Sequence, residues 1–236
     1  MFERDAHRCI ALVLQALRAD LLVERQCWFG GGTAMTLRFG EYRESLDVDF
    51  LVSDPQGYRD LRTALAQAGG LAPILRSGQS LEQTRTLRAD QYGLRTQLRI
   101  GERPIKFEIV FEARIALTRP APTDAVCGVA TLSLIDLAAE KWLANADRWA
   151  DDSVFSRDLI DLAMHPGPAA TLRAALSKAE GAYGPEIRRT ALAAIAALRD
   201  RRGRLDACMA ALSVRHLSKA QLWQRLRRLA RLAGDH

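Results

Sequence analysis

The sequence predicts an α+β protein with a strand-bearing N-terminal half and an almost entirely helical C-terminal half. Two observations lead to this prediction. Short apolar runs bounded by glycine and proline recur before residue 112, whereas from residue 133 onward the apolar residues follow helical spacing. Residues 115–131 contain prolines and show little periodicity, so we expect a connection there. The predicted domains are residues 1–120 and residues 121–236.

Apolar spacing and turn residues justify the elements in order. Ile10, Leu14 and Leu17 recur at helical spacing near the N-terminus. Gly69 closes a later helix, because glycine readily adopts the left-handed conformation of a C-cap. The predicted N-terminal elements are helices over residues 3–25, 33–39 and 58–68, and strands over residues 47–52, 71–75, 83–88, 94–100 and 105–111. The predicted C-terminal helices cover residues 134–149, 156–164, 169–181, 185–200, 203–212 and 218–233.

Composition indicates a globular protein without a membrane anchor. Hydrophobic residues make up 48% of the 236 positions, and no uninterrupted apolar run is long enough to cross a bilayer. The charged N-terminus leads into an amphipathic helix, which argues against a secretory signal. The four cysteines are dispersed without Cys-x-x-Cys spacing, as is typical of reduced cysteines. We therefore predict a cytoplasmic protein with no membrane partner.

The charge balance suits a polyanionic partner. The net charge is +6, and arginine supplies nearly all of the positive charge. Guanidinium groups bind phosphate oxygens in pairs, so RNA is a candidate partner. The arginines of residues 225–231 could contact RNA or a partner protein, or could simply be solvated. A genome of high GC content favours arginine codons and would explain the same charge without any function.

The most informative feature of the chain is a glycine turn followed by two aspartates. Gly31 and Gly32 precede the hydroxyl of Thr33, and Asp47 and Asp49 flank a single residue at the start of a predicted strand. Because side chains alternate along a strand, both carboxylates emerge on one face. Two carboxylates near glycine amides suit Mg²⁺ bound to a nucleoside triphosphate. The alternative is a flexible turn and a solvated strand end, but the two like charges then repel each other without a cation.

A third acid is expected on a neighbouring strand. Two-metal phosphoryl-transfer sites use carboxylates to hold the ions, and Glu108 lies on the polar face of the predicted strand 105–111. We predict that Glu108 completes the metal site. A surface pair of Glu108 with Lys106 is the alternative reading, and Glu112 is the weaker candidate for the third acid.

Two later helices carry a second cluster of charges. Lys141 and Arg148 lie two turns apart on one helix, and Asp158 and Asp161 are i, i+3 neighbours on the next. A lysine directed at the metal site would offset triphosphate charge. Both segments could instead be solvated helix faces.

Taken together, these motifs resemble the AbiEii/AbiGii-type nucleotidyltransferases, the toxins of bacterial type IV toxin–antitoxin pairs. The resemblance spans roughly residues 25–165. It lies in the glycine turn, the segment from Arg43 to Phe50, the Lys106-x-Glu108 strand and the paired charged helices. It implies a DNA polymerase β-like nucleotidyltransferase core, a mixed sheet with flanking helices, followed by a helical domain. Thr33 stands where many family members have serine, and it keeps the hydroxyl.

The resemblance and the residues together give a set of expected roles. The expected catalytic residues are Asp47, Asp49, Glu108, Lys141, Asp158 and Asp161. The expected nucleotide-binding residues are Gly31, Gly32, Thr33, Arg43, Ser45 and Lys141. The expected metal ligands are Asp47, Asp49 and Glu108, holding two Mg²⁺ ions for which Mn²⁺ could substitute.

The predicted reaction moves an NMP from an NTP to a hydroxyl acceptor, with the 3′ end of tRNA as the leading candidate. The protein would then be a toxin with a cognate antitoxin protein. Two alternatives stay open. One is an antibiotic-type nucleotidyltransferase that acts on a small molecule, although the net basic charge suits cationic drugs poorly. The other is a catalytically silent nucleotide-binding or interaction module.

Overall fold

The computed structural model describes residues 2–234. The chain forms two compact units, one of Met1–Leu37 and Ser45–Ser133 and the other of Arg38–Glu44 and Leu134–His236. The expected division after residue 120 therefore differs from the observed one at two places. Residues beyond 120 return to the first unit because the Leu132 amide donates to the carbonyl of Phe29 at 2.9 Å.

The first unit is built on a six-stranded mixed sheet. Its strands are β1 (Trp28–Gly30), β2 (Val48–Val52), β3 (Glu82–Gln83), β4 (Arg88–Ala89), β5 (Gly93–Ile100) and β6 (Arg103–Phe111). Their order is β1-β2-β6-β5-β3, with β4 also paired to β5. Strands β2 and β6 are parallel, and the other pairs are antiparallel. A parallel pair needs a long connection, and the chain between β2 and β6 supplies it.

Helices and a small hairpin complete the first unit. The helices are α1 (Asp5–Ala16), α2 (Ala19–Glu24), α3 (Gly31–Arg38) and α4 (Pro55–Ala68), and the hairpin pairs β7 (Ala125–Val126) with β8 (Val129–Ala130). The N-terminus of α4 follows from its sequence, since Pro55 opens the helix and the Asp54 side chain accepts from the Gly57 amide. Gly69 ends α4 with a φ of +66°, as the sequence predicts.

Alternation along β2 sets which side chains are buried and which are partly exposed. Val48, Phe50 and Val52 are buried in the core. The Phe50 ring packs between the rings of Phe29 and Phe107, with centroids 5.5 and 5.8 Å away. Asp49 lies between two of these core residues and therefore points to the opposite face of the sheet. The buried residues of β2 therefore anchor the strand in the core and fix Asp49 on its opposite face.

Three predicted elements of the first unit differ from the observed ones, and the short strands β1, β7 and β8 were not predicted. The first predicted helix is interrupted after α1, because the Arg18 amide donates to the carbonyl of Ile74 instead of continuing the helix. The predicted strand 71–75 is a 3₁₀ turn, Ala72–Ile74. Pro73 within it has no N–H to give to a sheet. The predicted strand 83–88 is two short strands, and β1 was not expected because glycine dominates its end.

The second unit is helical, as predicted. In the described part of the chain its helices are α5 (Leu134–Arg148), α6 (Arg157–Met164), α7 (Ala169–Tyr183), α8 (Glu186–Asp200), α9 (Arg204–Ala211) and α10 (Lys219–Gly234). Helix α5 packs against α6, α7 and α8, and α10 packs against α6, α7 and α8. Trp142, Leu143, Leu159 and Leu176 are fully buried in this unit. None of the helices within residues 2–234 is both long and apolar enough to cross a membrane.

Candidate functional site

The glycine turn lies between β1 and α3 and carries the first part of the site. Gly31 begins α3 with a φ of +69°, a conformation that favours glycine. A Cβ at this position would lie 2.5 Å from Oδ2 of Asp49. The Asp49 carboxylate therefore lies against the backbone at the start of α3. Gly30 has a packing role instead, because a Cβ there would lie 2.5 Å from the Leu51 side chain and 2.8 Å from that of Leu132.

The two predicted hydroxyl residues contact each other. Thr33 Oγ1 donates to Ser45 Oγ at 2.8 Å, and Thr33 is completely buried. The Ser45 amide donates to Nε2 of His7 at 3.3 Å, and His7 is buried as well. Thr33 and His7 thus hold the segment that leads into Asp47. Sequence reasoning missed His7, since a lone histidine in an amphipathic helix gives no sign of its partner.

The three predicted metal ligands lie on neighbouring strands or just before them. Asp49 of β2 pairs in register with Glu108 of the parallel strand β6. Paired residues on adjacent strands point to the same face of the sheet, so both carboxylates emerge together. Asp47 lies two residues before Asp49, directly before β2, and all three side chains are partly exposed. The structure therefore brings Asp49 and Glu108 side by side, as the sequence predicts.

Glu108 and Glu112, the two candidates for the third acid, have different surroundings. Glu108 accepts from Lys106 Nζ at 2.6 Å and faces Arg95 Nε at 3.1 Å. Glu112 is 2% exposed and accepts from both the amide and the guanidinium of Arg114. Glu112 follows the end of β6, so it has no register partner among the acids of β2. This register favours Glu108.

Asp49 and Glu108 share one face of the sheet, but the three acids do not form a closed ligand cage. Within residues 2–234 no three His, Cys, Asp or Glu side chains are arranged as a metal-binding group. The donors of Asp47, Asp49 and Glu108 are nonetheless all carboxylate oxygens, the type that Mg²⁺ and Mn²⁺ prefer.

The second unit contains a buried cluster of charges centred on Asp158 and Asp161. Lys141 Nζ lies 2.9 Å from Oδ1 of Asp158 and 2.7 Å from Oδ2 of Asp161. Arg148 forms two hydrogen bonds to Asp158, at 2.7 and 2.9 Å. The Lys141, Asp158 and Asp161 side chains are at most 7% exposed, so these helix faces are not solvated.

Asp161 also binds the short segment Arg38–Glu44. Arg43 donates from Nε and Nη2 to the two carboxylate oxygens at 2.7 and 2.8 Å. The Tyr42 hydroxyl donates to Oδ1 at 2.7 Å. Arg43, expected to contact nucleotide, thus lies in the second unit and binds a carboxylate. Sequence reasoning missed Tyr42, although its place directly before Arg43 was a usable signal.

Electrostatics keeps every member of this cluster ionised. Burial alone would raise the pKa of the Asp161 carboxyl, but the charges of Arg43 and Lys141 outweigh burial and lower it. The pKa of Asp158 is lowered in the same way, chiefly by Lys141 and Arg148 against burial. Burial would lower the pKa of Lys141, yet the two carboxylates raise it overall. Three cations and two carboxylates leave one net positive charge in the cluster.

Comparisons with known proteins identify the family of the chain and its fold. The chain matches the model of the nucleotidyl transferase AbiEii toxin family of type IV toxin–antitoxin systems over residues 13–229. A search of curated proteins finds no significant match. The fold is shared with a candidate nucleotidyltransferase from Helicobacter pylori, at a TM-score of 0.54 and 14% identity over 98% of this chain and 94% of that one.

A second solved structure, JHP933 from Helicobacter pylori, aligns at a TM-score of 0.49 and 14% identity over 99% of this chain and 92% of that one. The family match spans both units and includes the glycine turn, the paired acids and the buried charge cluster. An antitoxin partner is implied by membership of a toxin–antitoxin family. The protein therefore belongs to the AbiEii family of type IV toxins and is a nucleotidyltransferase.

Proposed function

We propose that this protein transfers an NMP from an NTP to the 3′ hydroxyl of a tRNA and releases pyrophosphate. The observation that carries this proposal is the contact of Asp49 with Gly31 at the start of α3, in register with Glu108. An anion-binding helix start and a pair of acids then meet at one point. This is the combination that transfer from a triphosphate requires.

The backbone at the glycine turn would bind the triphosphate. The first amides of α3 have no partner within the helix, and they attract anions together with the helix dipole. Gly31 and Gly32 carry no side chain that would keep a phosphate oxygen away. Thr33 would act on the site by holding Ser45 and hence Asp47. The acceptor oxygen attacks the α-phosphorus, and the bond to the β-phosphate oxygen breaks.

Asp47, Asp49 and Glu108 fit Mg²⁺ or Mn²⁺ because their carboxylates are hard oxygen donors, and Asp49 and Glu108 lie in register on one face of the sheet. The ions, when bound, would neutralise phosphate charge and make the attacking hydroxyl more acidic. Lys106 and Arg95 hold the Glu108 carboxylate in place. We expect two ions, as in other two-metal phosphoryl-transfer sites.

We also propose that Lys141 contacts phosphate, the role that the family resemblance implies. Its ammonium group has three N–H donors, and the carboxylates of Asp158 and Asp161 take two of them. The third donor would be left for a phosphate oxygen. Asp158 and Asp161 would then act as positioning residues that hold Lys141, with Arg43 as a further support of Asp161.

The proposed partners follow from charge and family. The net charge of +6 favours an RNA acceptor. Both NTP and tRNA are cytoplasmic molecules, so we propose that the enzyme acts in the cytoplasm. Its antitoxin would limit this activity.

Removing the two aspartates should abolish transfer while the protein stays folded. The experiment incubates the protein with each α-³²P-labelled NTP, Mg²⁺ and total bacterial RNA, beside Asp47→Ala/Asp49→Ala. We expect label on a tRNA-sized band, and loss of at least about 1,000-fold in the variant because the charge of the leaving group is no longer offset. Circular dichroism of both proteins is the folding control.

The pattern of labelling also separates the alternatives. Label on a small hydroxylated drug and none on RNA would contradict the tRNA acceptor and favour an antibiotic-type enzyme. Wild-type turnover in the double variant would overturn the assignment of the catalytic acids. Chelation with EDTA should stop the reaction, and unchanged labelling in EDTA would contradict the magnesium requirement.

A further inference from the structure

The second unit contains a basic pocket that the proposed catalytic residues do not use. Its volume is 810 Å³, and the described residues that line it include four arginines and no Asp or Glu. We call it the arginine pocket. The lining residues used below are Arg38, Phe39, His165, Arg225, Arg228 and Arg231.

Three of the arginines extend from one face of α10. Arg225, Arg228 and Arg231 recur every three residues, beside the buried stripe that includes Leu222, Leu226 and Leu229. All three arginines are exposed, and within residues 2–234 no carboxylate pairs with them. Many other arginines of the second unit do have such partners, for example Arg201 with Asp152. Among residues 2–234, the charge of this face is therefore not offset by a carboxylate.

Two aromatic residues also line the arginine pocket: Phe39, which is partly exposed, and His165, which is 4% exposed. The rings of Phe39 and His165 meet edge to face with centroids 5.9 Å apart, and the Arg38 guanidinium lies 5.5 Å from the Phe39 centroid. His165 is held as a neutral ring, because Nδ1 accepts from the Gly167 amide and Nε2 faces the Leu134 carbonyl. Burial lowers the pKa of His165, and the charges of Arg38 and Arg228 lower it further. Arg38 and Arg228 thus line the same pocket as this neutral ring.

We infer that the arginine pocket binds the phosphodiester backbone of a single-stranded segment of the RNA acceptor. Arginine presents paired donors to phosphate oxygens, and guanidinium planes and aromatic rings are surfaces on which unpaired bases stack. An acidic protein would satisfy the charges but would leave the partly exposed Phe39 ring without a matched group. The inference rests on the proposed RNA acceptor and assigns part of its binding to α10.

A binding measurement without NTP or metal tests the pocket separately from catalysis. The full-length protein is titrated into a short fluorescein-labelled single-stranded RNA, and anisotropy is read at several NaCl concentrations. The test variant is Arg225→Gln/Arg228→Gln. The control is Arg227→Gln/Arg202→Gln, which removes the same charge from exposed arginines outside the pocket.

We expect the test variant to bind about tenfold more weakly, with a slope of log Kd against log[NaCl] that is shallower by about 1.4. The control should keep the wild-type slope. Arg225→Lys/Arg228→Lys should also keep the slope, because lysine retains the charge. All variants are checked by circular dichroism. If Arg225→Gln/Arg228→Gln loses helix, Arg231→Gln is used as the test variant instead.

Three results would overturn the inference. The first is an unchanged RNA affinity in the test variant, and the second is an equal loss of RNA affinity in the control variant. The third is a test variant that loses binding of a poly-glutamate peptide but keeps RNA binding, which would assign the pocket to an acidic protein. The inference and the proposed function fail in different ways. RNA binding that depends on the pocket, without any label transfer to RNA, would leave the pocket standing and would remove the tRNA acceptor.

Discussion

At the scale of single residues, the contact between Gly31 and Asp49 decides the shape of the site. The glycine is required both by its φ of +69° and by the carboxylate that occupies the space of a Cβ. The Asp-x-Asp motif and the glycine turn are therefore parts of one arrangement rather than two neighbouring motifs. A side chain at Gly31 would displace the carboxylate that the proposal places on the metal.

Gly31→Ala should damage catalysis far more than folding. The left-handed conformation costs an alanine about 1 kcal/mol, whereas moving a catalytic group by about 1 Å costs on the order of 100-fold in rate. We expect kcat for NMP transfer to fall by about 100-fold. The measurement is steady-state release of pyrophosphate with RNA as acceptor.

Gly78→Ala is the matched control for this substitution. Gly78 has a φ of +77°, and a Cβ there would meet nothing within 4 Å. The control carries the same backbone strain without the contact, so its activity should stay near that of the wild type. Equal losses in the two variants would show that strain, and not displacement of Asp49, explains the effect.

At the scale of elements, the segment Arg38–Glu44 joins two parts of the first unit but belongs to the second. It follows α3 and precedes Asp47, yet Tyr42 and Arg43 bind Asp161 of α6. Backbone bonds add to this attachment, since the Glu44 amide donates to the carbonyl of Leu212. The buried Asp161 carboxylate is thus the common partner of this segment and of Lys141 on α5.

Asp161→Asn should destabilise the second unit and reduce its sensitivity to acid. Removing one partner of a buried ion pair costs about 3–5 kcal/mol, because the remaining charges stay buried. The pKa values of Asp158 and Asp161 are lowered in the folded state. The two carboxylates therefore contribute fully to the stability of the folded state at a pH above their unfolded pKa of about 4. This contribution is lost as the pH falls through their lowered pKa values in the folded state.

Urea unfolding at about pH 7 and about pH 3 measures both effects. Three of the four tryptophans, Trp142, Trp149 and Trp223, lie in the second unit and report on it by fluorescence. Wild-type stability should drop between the two pH values, and Asp161→Asn should start lower and drop less. Asp152→Asn, at an exposed ion pair with Arg201, should leave the urea midpoint unchanged. A wild-type midpoint that is equal at both pH values would contradict this account.

At the scale of the whole molecule, the net charge of +6 should control the use of an RNA acceptor. Binding of single-stranded RNA releases counterions, so log(kcat/KM) for RNA should fall with log[NaCl] with a slope of about −0.7 for each phosphate contacted. The measurement is NMP transfer at several salt concentrations with subsaturating RNA. Transfer at saturating RNA is the control and should change much less, because that rate does not include the binding step.

A value of kcat/KM for RNA that is independent of salt would contradict an electrostatic acceptor site. It would also leave the arginines of α10 without a role in acceptor binding. A strong effect at saturating RNA would instead indicate that salt acts on the chemical step or on the fold.

The sequence by itself determined most of the elements and which charged groups the core motif contains. The helices of the second unit begin and end within about two residues of their predicted bounds, because apolar spacing, proline and glycine act locally. The position of Asp49 on the face opposite Val48 and Phe50 also follows from local alternation. One prediction failed where a distant partner decides the outcome, at Arg18, whose amide donates to the carbonyl of Ile74.

Only the tertiary structure decided how these motifs are paired. Register places Asp49 beside Glu108, and neither residue shows this in the sequence because the two strands are far apart along the chain. On an exposed helix face, water would have solvated Lys141. Because Lys141 is buried, its charge needs partners within the protein, and Asp158 and Asp161 supply them. Arg43 lies in the second unit for the same reason, because its buried guanidinium group pairs with the carboxylate of Asp161. Local pattern thus sets which groups are available, and the exclusion of water by packing decides which of them must meet.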